Sequence, residues 1–342
     1  MIIVAVEYDS QFKFRNLTMN NDRFSWIDNC RGLCLVLVII HHTGLMDVWF
    51  LKLYLPIFLT CFFFISGYLF YNPEKNVSIK QKLINIMTSI LIPYIIYCSL
   101  TACFNFFKGG VEACIYDIRI AILGIKSWFI SALFLMQIMA LSVLAAKKYY
   151  SLVCLLFITS SAILYYILPE GQYVWNFRNA LLANVYFGIG MFSRRYKLTK
   201  VFMNNSMGIT CAIIYIGLVV IDVKYNILYG NFNESFSSYP YFFISSMFGI
   251  TAFIWVCSKI SRYNIPILFI GANSLLYYYL QSVVLRGVFA VYSNFGIQMN
   301  HIILLVIITS VVCLIIWPIV LFINNYIPIM SGKYRINLPN RI

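Results

Sequence analysis

Asp28, Arg31, His41 and His42 fall within fifteen residues of one another, and every residue from Gly32 to Ile40 between them is apolar. An acid, a permanent cation and a titratable pair therefore sit at the entry and along the length of an apolar run. Ionisable groups are costly in lipid, so in such a run they mark a function by default. Each type has a use. Arginine binds phosphate or carboxylate through a planar fork and keeps its charge at any depth. Histidine is the side chain best placed to take a proton near neutral pH. An aspartate can orient a histidine or balance an arginine. The plainer alternative makes Arg31 a charged anchor at the membrane surface and the histidines satisfied core residues.

Helical rotation sorts these groups. At about 100° per residue, Arg31 and His42 lie within roughly 20° of one face and about 16 Å apart along the axis. His41 falls about 80° off that face by the same rotation. Asp28 lies just under one turn before Arg31. The spacing thus predicts one stripe of Asp28, Arg31 and His42, running from a membrane mouth to the middle of the membrane.

The rest of the chain must position that stripe. Of its 342 residues 62% are hydrophobic and 11% charged, with mean hydropathy +0.83. A soluble domain carries about 25% charged residues, so the composition predicts an all-α polytopic membrane protein. The net charge of +14 comes from short basic clusters between apolar runs. That pattern orients membrane loops and speaks against nucleic-acid binding. Most of the ten cysteines lie inside apolar runs, and no Cys-x-x-Cys occurs. They read as small apolar side chains, and no metal site is expected. Met1–Val6 is too short for a signal-peptide core, so residues 1–22 are expected to form a short cytoplasmic tail, with Met19 a possible alternative start.

Apolar runs of spanning length fall near 31–49, 54–71, 83–107, 127–146, 150–168, 179–193, 207–222, 240–258, 266–289 and 301–323. The sixth, rich in small residues, is the weakest. With a cytoplasmic N-terminus, the cytoplasmic segments hold 17 of the 25 basic residues. Arg31 sits at the cytoplasmic mouth. The opposite side holds Lys52, Lys108, Arg119, Lys126, Arg178, Lys224 and Arg286. This alternation predicts ten helices with both ends in the cytoplasm. The longest outward loops, near 108–126 and 223–239, are too short for a separate domain. The expected organisation is one membrane domain over 23–330, with cytoplasmic tails at 1–22 and 331–342.

Ile27-Asp28-x-x-Arg31-Gly32 followed by His42 resembles the opening signature of the acyltransferase-3 family of integral membrane O-acyltransferases, in a core-only form. That signature, an arginine and a histidine with ten residues between them, selects His42 over His41. Phe62-Phe63-Phe64-Ile65-Ser66-Gly67-Tyr68-Leu69-Phe70 is similar to the family's aromatic Ile-Ser-Gly segment. Ser127-Trp128-Phe129-Ile130 is similar to its Trp-Phe-Leu entry. The resemblance implies transfer of an acyl group, commonly acetyl, from acyl-CoA to a hydroxyl of a glycan or its lipid-linked precursor, in a bacterial plasma membrane. Carried over, His42 is the base for the acceptor hydroxyl, Arg31 acts on the donor, and Asp28 supports one of them. Lys82 stands where the family has a basic pair before the third span's proline, although the second member is replaced by Asn85. Gln281 replaces a histidine in the ninth span. Ser66 serves close helix packing or the substrate, and Trp128 an aromatic belt or substrate stacking.

Other features are left with plainer readings. Arg178 and Glu170 are expected in a solvated outward loop, His301 at the outer interface, and Arg286 either snorkelling or lining the outward cavity. No Gly-x-Ser-x-Gly elbow occurs, so a serine hydrolase is not supported. A flippase of lipid-linked glycans is the alternative function. A membrane glycan polymerase would need larger outward loops.

Overall fold

The computed structural model describes residues 25–73, 78–228, 230, 236–260, 264–295 and 299–333. The tail expected at 1–22 and nearly all of that at 331–342 lie outside the described residues, as do Lys75 and Arg262. The described chain forms α1 (Ser25–Thr43), α2 (Val48–Tyr54), α3 (Phe58–Phe70), α4 (Ile79–Ile86), α5 (Ile92–Ile122), α6 (Trp128–Ala145) and α7 (Tyr150–Ile167). It continues with α8 (Phe177–Tyr196), the short α9 (Thr199–Phe202), α10 (Asn205–Tyr225), α11 (Tyr239–Lys259), α12 (Ile265–Ala272), α13 (Ser274–Phe295) and α14 (His301–Tyr326). Among the described residues no strand forms, and only an isolated bridge joins Gly230 to Phe236. The protein is all-α and polytopic.

Eight helical stretches among the described residues are long and apolar enough to cross a membrane. The other two expected spans correspond to α1 and α8, which are 19 and 20 residues long. Both are too polar to be counted with the eight, because they carry Asp28, Arg31 and the histidines, and Arg178, Asn179, Asn184, Arg194 and Arg195. Both also bury more than half of their residues. A helix screened from lipid by its neighbours can carry polar groups that a lipid-facing helix cannot. The lipid-facing helices show the complement, with Leu155, Ile163, Ile216, Val220, Val306 and Leu314 all exposed.

The elements differ from the sequence reading in five places. The first span ends at Thr43 rather than near 49. The Thr43 hydroxyl donates to the Ile40 carbonyl at 2.7 Å and accepts the Leu45 N–H at 3.2 Å, which closes the helix. His41 and His42 therefore occupy the last turn of α1, not the middle of a longer span. The second span breaks at Pro56, which lacks an N–H to continue the ladder. The third span runs through a π-helical segment, Met87–Leu91, into α5. The loop expected at 108–126 is mostly helix. Gly110, at φ 71°, turns the chain, and the second limb folds back on the first. The Tyr94 hydroxyl donates to the Ala121 carbonyl at 2.7 Å, and Asn105 donates to the Asp117 carboxylate at 2.6 Å. Those pairs would lie about 40 Å and about 18 Å apart on a straight helix. The ninth span divides at Asn273 into α12 and α13. The Asn273 side-chain oxygen accepts from Asn324 at 2.8 Å and from Lys333 at 2.5 Å.

The tightest packing joins α3 to α8. A Cβ on Gly67 would fall 1.9 Å from the Phe187 carbonyl oxygen, and one on Gly190 would fall 2.0 Å from that of Phe64. Small residues permit such approach between membrane helices. Ser66 supports the same packing, since its hydroxyl donates to the Phe62 carbonyl of its own helix at 2.8 Å. Gly67→Ala must push two backbones apart and should cost at least the usual overpacking penalty, about 1–3 kcal/mol. A thermal unfolding midpoint in detergent equal to wild type would refute this.

A buried ion pair joins α2 to α10. Lys52, expected in an outward loop, is 5% exposed and Asp222 is 3% exposed. Their N···O separation is 3.0 Å. Lys52 also donates to the Asp222 and Leu228 carbonyls, and the Asp222 carboxylate accepts the Leu228 N–H at 2.7 Å.

Candidate active site

A cavity of about 1190 Å³ opens where α1, α3, α5, α6 and α13 meet. Consecutive residues at the end of α1 point about 100° apart, so the two histidines have different surroundings. The His41 Nδ1 lies 3.0 Å from the Tyr54 hydroxyl, and its ring packs on Phe58 with centroids 5.6 Å apart. Both line the cavity, and His42 is the more exposed of the two. Its ring meets only the edge of His41, at 5.8 Å. Among the described residues no hydrogen-bond partner holds it. A neutral imidazole so placed offers an acceptor nitrogen to a hydroxyl in the cavity.

The predicted stripe divides three ways. His42 faces the large cavity. Arg31 borders a second, small cavity of about 40 Å³, with its guanidinium 5.4 Å from the centre of the Phe62 ring. Asp28 is buried where α1 crosses α12, close enough that a Cβ on Gly271 would fall 1.9 Å from the Asp28 carbonyl oxygen. Asp28 borders neither cavity. Arg31 and His42 stay about 16 Å apart along one helix. The two cavities share Val38, Leu59, Phe129 and Tyr278 as walls, so a thin apolar and aromatic partition lies between the arginine and the histidine.

Other candidates are placed as follows. Lys82 donates to the Phe70 carbonyl at 2.6 Å and lies over the Phe70 ring at 4.2 Å. It thereby closes the C-terminus of α3, where a cation is favoured, and does not border the Arg31 cavity. Trp128 lines the large cavity and meets Phe129 edge-on at 5.9 Å. Ser66 borders neither cavity. Arg178 is not solvated as expected. It is 6% exposed, with its guanidinium 4.5 Å from the centre of the Tyr165 ring, because α8 begins inside the bundle. His301 is exposed and pairs with Asp47 at 3.4 Å, at the end of the bundle that carries His42.

The end that carries Arg31 gathers cations. Arg194 donates to the Tyr68 hydroxyl at 3.0 Å, and Tyr68 packs edge-on against Trp26 at 5.4 Å. Arg195 lies over the Tyr150 ring at 4.6 Å. Basic groups at one end and a histidine-lined cavity at the other suit a reaction whose two substrates arrive from opposite ends of α1.

Sequence reasoning left several wall residues without a role. Gln281 is 2% exposed and lines the large cavity. Its side-chain oxygen and the Tyr97 and Tyr279 hydroxyls have no partner among the described residues. Tyr97 and Tyr279 stack with centroids 4.0 Å apart, joining α5 to α13 across the cavity wall. Asn105 lines the cavity from within the expected third span, and Lys108 reaches it because α5 continues past 107. A signal was present: Lys108, Lys126 and Arg286 are cations on the side of the membrane that holds few.

Searches of the curated proteins and of the solved structures found no match. A family model described as an acyltransferase domain matches residues 24–321, nearly the whole described chain and both cavities with it. With the opening Asp28-x-x-Arg31-Gly32 and His42 arranged along the helix that joins those cavities, the chain belongs to the acyltransferase-3 family of membrane acyltransferases.

Proposed function

We propose that this acyltransferase moves an acyl group, acetyl foremost, from acyl-CoA to a hydroxyl of a cell-surface glycan or its lipid-linked precursor. One observation carries the reading: an unpartnered His42 faces a cavity of about 1190 Å³, and the basic end of the same helix lies on the far side of a thin partition. The His42 ring nitrogen takes the proton of the acceptor hydroxyl. The oxygen attacks the thioester carbonyl, the C–O bond forms, and the C–S bond breaks. The sulfur leaves as thiolate and takes up the proton held by the His42 imidazolium, which gives the free thiol and restores the neutral base. The cavity beside Arg31, about 40 Å³, has room for an acyl group but not for a nucleotide. The acyl end of the donor would therefore enter past Arg31, with the nucleotide outside, near the cations at that end.

The distribution of basic residues, 17 on one side, supports a cytoplasmic donor end with both termini cytoplasmic; placement in a bacterial plasma membrane follows from the family resemblance. Asp28 then braces α1 against α12, and Lys82 braces α3 at the donor end. Arg31→Gln should lower kcat/KM for acetyl-CoA by about 10–100-fold, the loss expected for a hydrogen bond to a charged group. Transfer of radiolabelled acetyl to surface polysaccharide in membrane vesicles measures it, and a variant as efficient as wild type would remove Arg31 from the donor site.

The division of the ninth span at Asn273, with the break of the second at Pro56, favours a flippase, since broken helices mark many transport sites. Deletion separates the two. Loss of the acyltransferase leaves the surface glycan present but lacking its ester, whereas loss of a flippase removes the glycan.

A further inference from the structure

The large cavity is charged on one side only. No aspartate or glutamate lines it, while Lys108, Lys126 and Arg286 all do. Lys126 is neutralised from behind, with Asp117 at 2.5 Å. Lys108 and Arg286 have no carboxylate partner among the described residues. Lys108 lies over the Phe104 ring at 4.6 Å. Arg286 spends only its Nε–H, on the Ser282 carbonyl of its own helix at 3.1 Å. Both side chains are exposed, so two cations without a carboxylate partner among the described residues stand open to the same cavity, where an anion would be attracted by both.

Position along the helices adds to this. Ser274, at the start of α13, borders the small cavity with Arg31, and Gln281 and Arg286 border the large one. So α13 runs alongside α1 in the same sense. Arg286 lies about 7 Å beyond Gln281 along its axis, farther from Arg31. The unpartnered polar atoms of Gln281, Tyr97 and Tyr279 thus lie on the donor side of the two cations.

From this geometry we infer that the acceptor carries an anionic group, a carboxylate or a phosphate, held between Lys108 and Arg286. Its hydroxyl-bearing ring lies deeper, where Gln281, Tyr97 and Tyr279 can meet its hydroxyls and His42 its reacting one. This rests on reading the large cavity as the acceptor site. The anion has two possible sources, an acidic sugar of the glycan or the phosphate of a lipid carrier.

Binding to the purified full chain in nanodiscs, followed by tryptophan fluorescence, tests the inference. The acidic-sugar probe is the glucuronate–N-acetylglucosamine disaccharide, compared with its neutral methyl ester. The lipid-phosphate probe is farnesyl phosphate, compared with farnesol. One charged probe should bind at least about tenfold more tightly than its neutral counterpart, and which one identifies the source. The preference should weaken with added salt. It should shrink in Lys108→Gln and in Arg286→Gln, and persist in Arg286→Lys. Neutral probes that bind as tightly as charged ones in wild type would overturn the inference, as would a preference that survives both glutamine variants. Neither outcome depends on catalysis. Acetyl transfer to a neutral glycan would sink the anionic acceptor and leave the proposed function standing, while selective anion binding without acetyl transfer would do the reverse.

Discussion

Replacing His42 by alanine removes acyl transfer, lowering its rate by about 10²–10⁴-fold, the usual contribution of a positioned general base, without lowering the amount of protein in the membrane. The asymmetry of the histidine pair makes this specific. His42 is exposed on the cavity wall, so its removal strips no contact from the core. His41 is engaged with the Tyr54 hydroxyl at 3.0 Å and with the Phe58 ring. His41→Ala should therefore destabilise the junction of α1, α2 and α3 and keep measurable transfer. Radiolabelled acetyl incorporation, normalised to protein in the membrane, compares the two. If His41→Ala loses transfer and His42→Ala keeps it, the roles are reversed and the reading of the site fails.

Lys52→Met should destabilise the bundle by about 3–5 kcal/mol, the cost of leaving one partner of a buried ion pair uncompensated. The variant strands the Asp222 carboxylate in a site where that residue is only 3% exposed. It also removes the donor shared by the Asp222 and Leu228 carbonyls. The double variant Lys52→Met/Asp222→Leu should recover a large part of the loss, because apolar replacement of a buried pair is often close to neutral. Recovery stays incomplete, since the Leu228 N–H loses its acceptor. Thermal unfolding in detergent reads both variants. A double variant no better than Lys52→Met alone would mean that the pair is not the source of the loss.

The helical membrane class was legible in composition, because a chain with 11% charged residues cannot solvate its own surface. The polar first span was legible as the candidate site because lipid penalises its residues. Individual boundaries were less so. The end of α1 had a signal that counting apolar runs passes over: Gly44, at φ 66°, follows Thr43 as a glycine commonly follows a helix. The run from Val111 to Ile122 holds too many charges to be taken for a span, so its packing against the first limb of α5 came from the turn at Gly110 and long-range bonds. Lys52 and Arg178 were assigned to outward loops by counting charge. Counting cannot reveal that Asp222 lies beside one and Tyr165 beneath the other.

By itself, then, the sequence determined the class of fold, the polar helix that carries the candidate site and, through helical rotation, which histidine shares a face with Arg31. These depend on local periodicity and on the cost of charge in lipid, both written into consecutive residues. Tertiary structure decided what that helix faces. It set Arg31 and His42 on two cavities divided by Val38, Leu59, Phe129 and Tyr278, drew Asp28 into contact with α12, and lined the cavity that His42 faces with Lys108, Gln281 and Arg286. A cavity is a gap among segments distant in sequence, and only their packing brings its walls together.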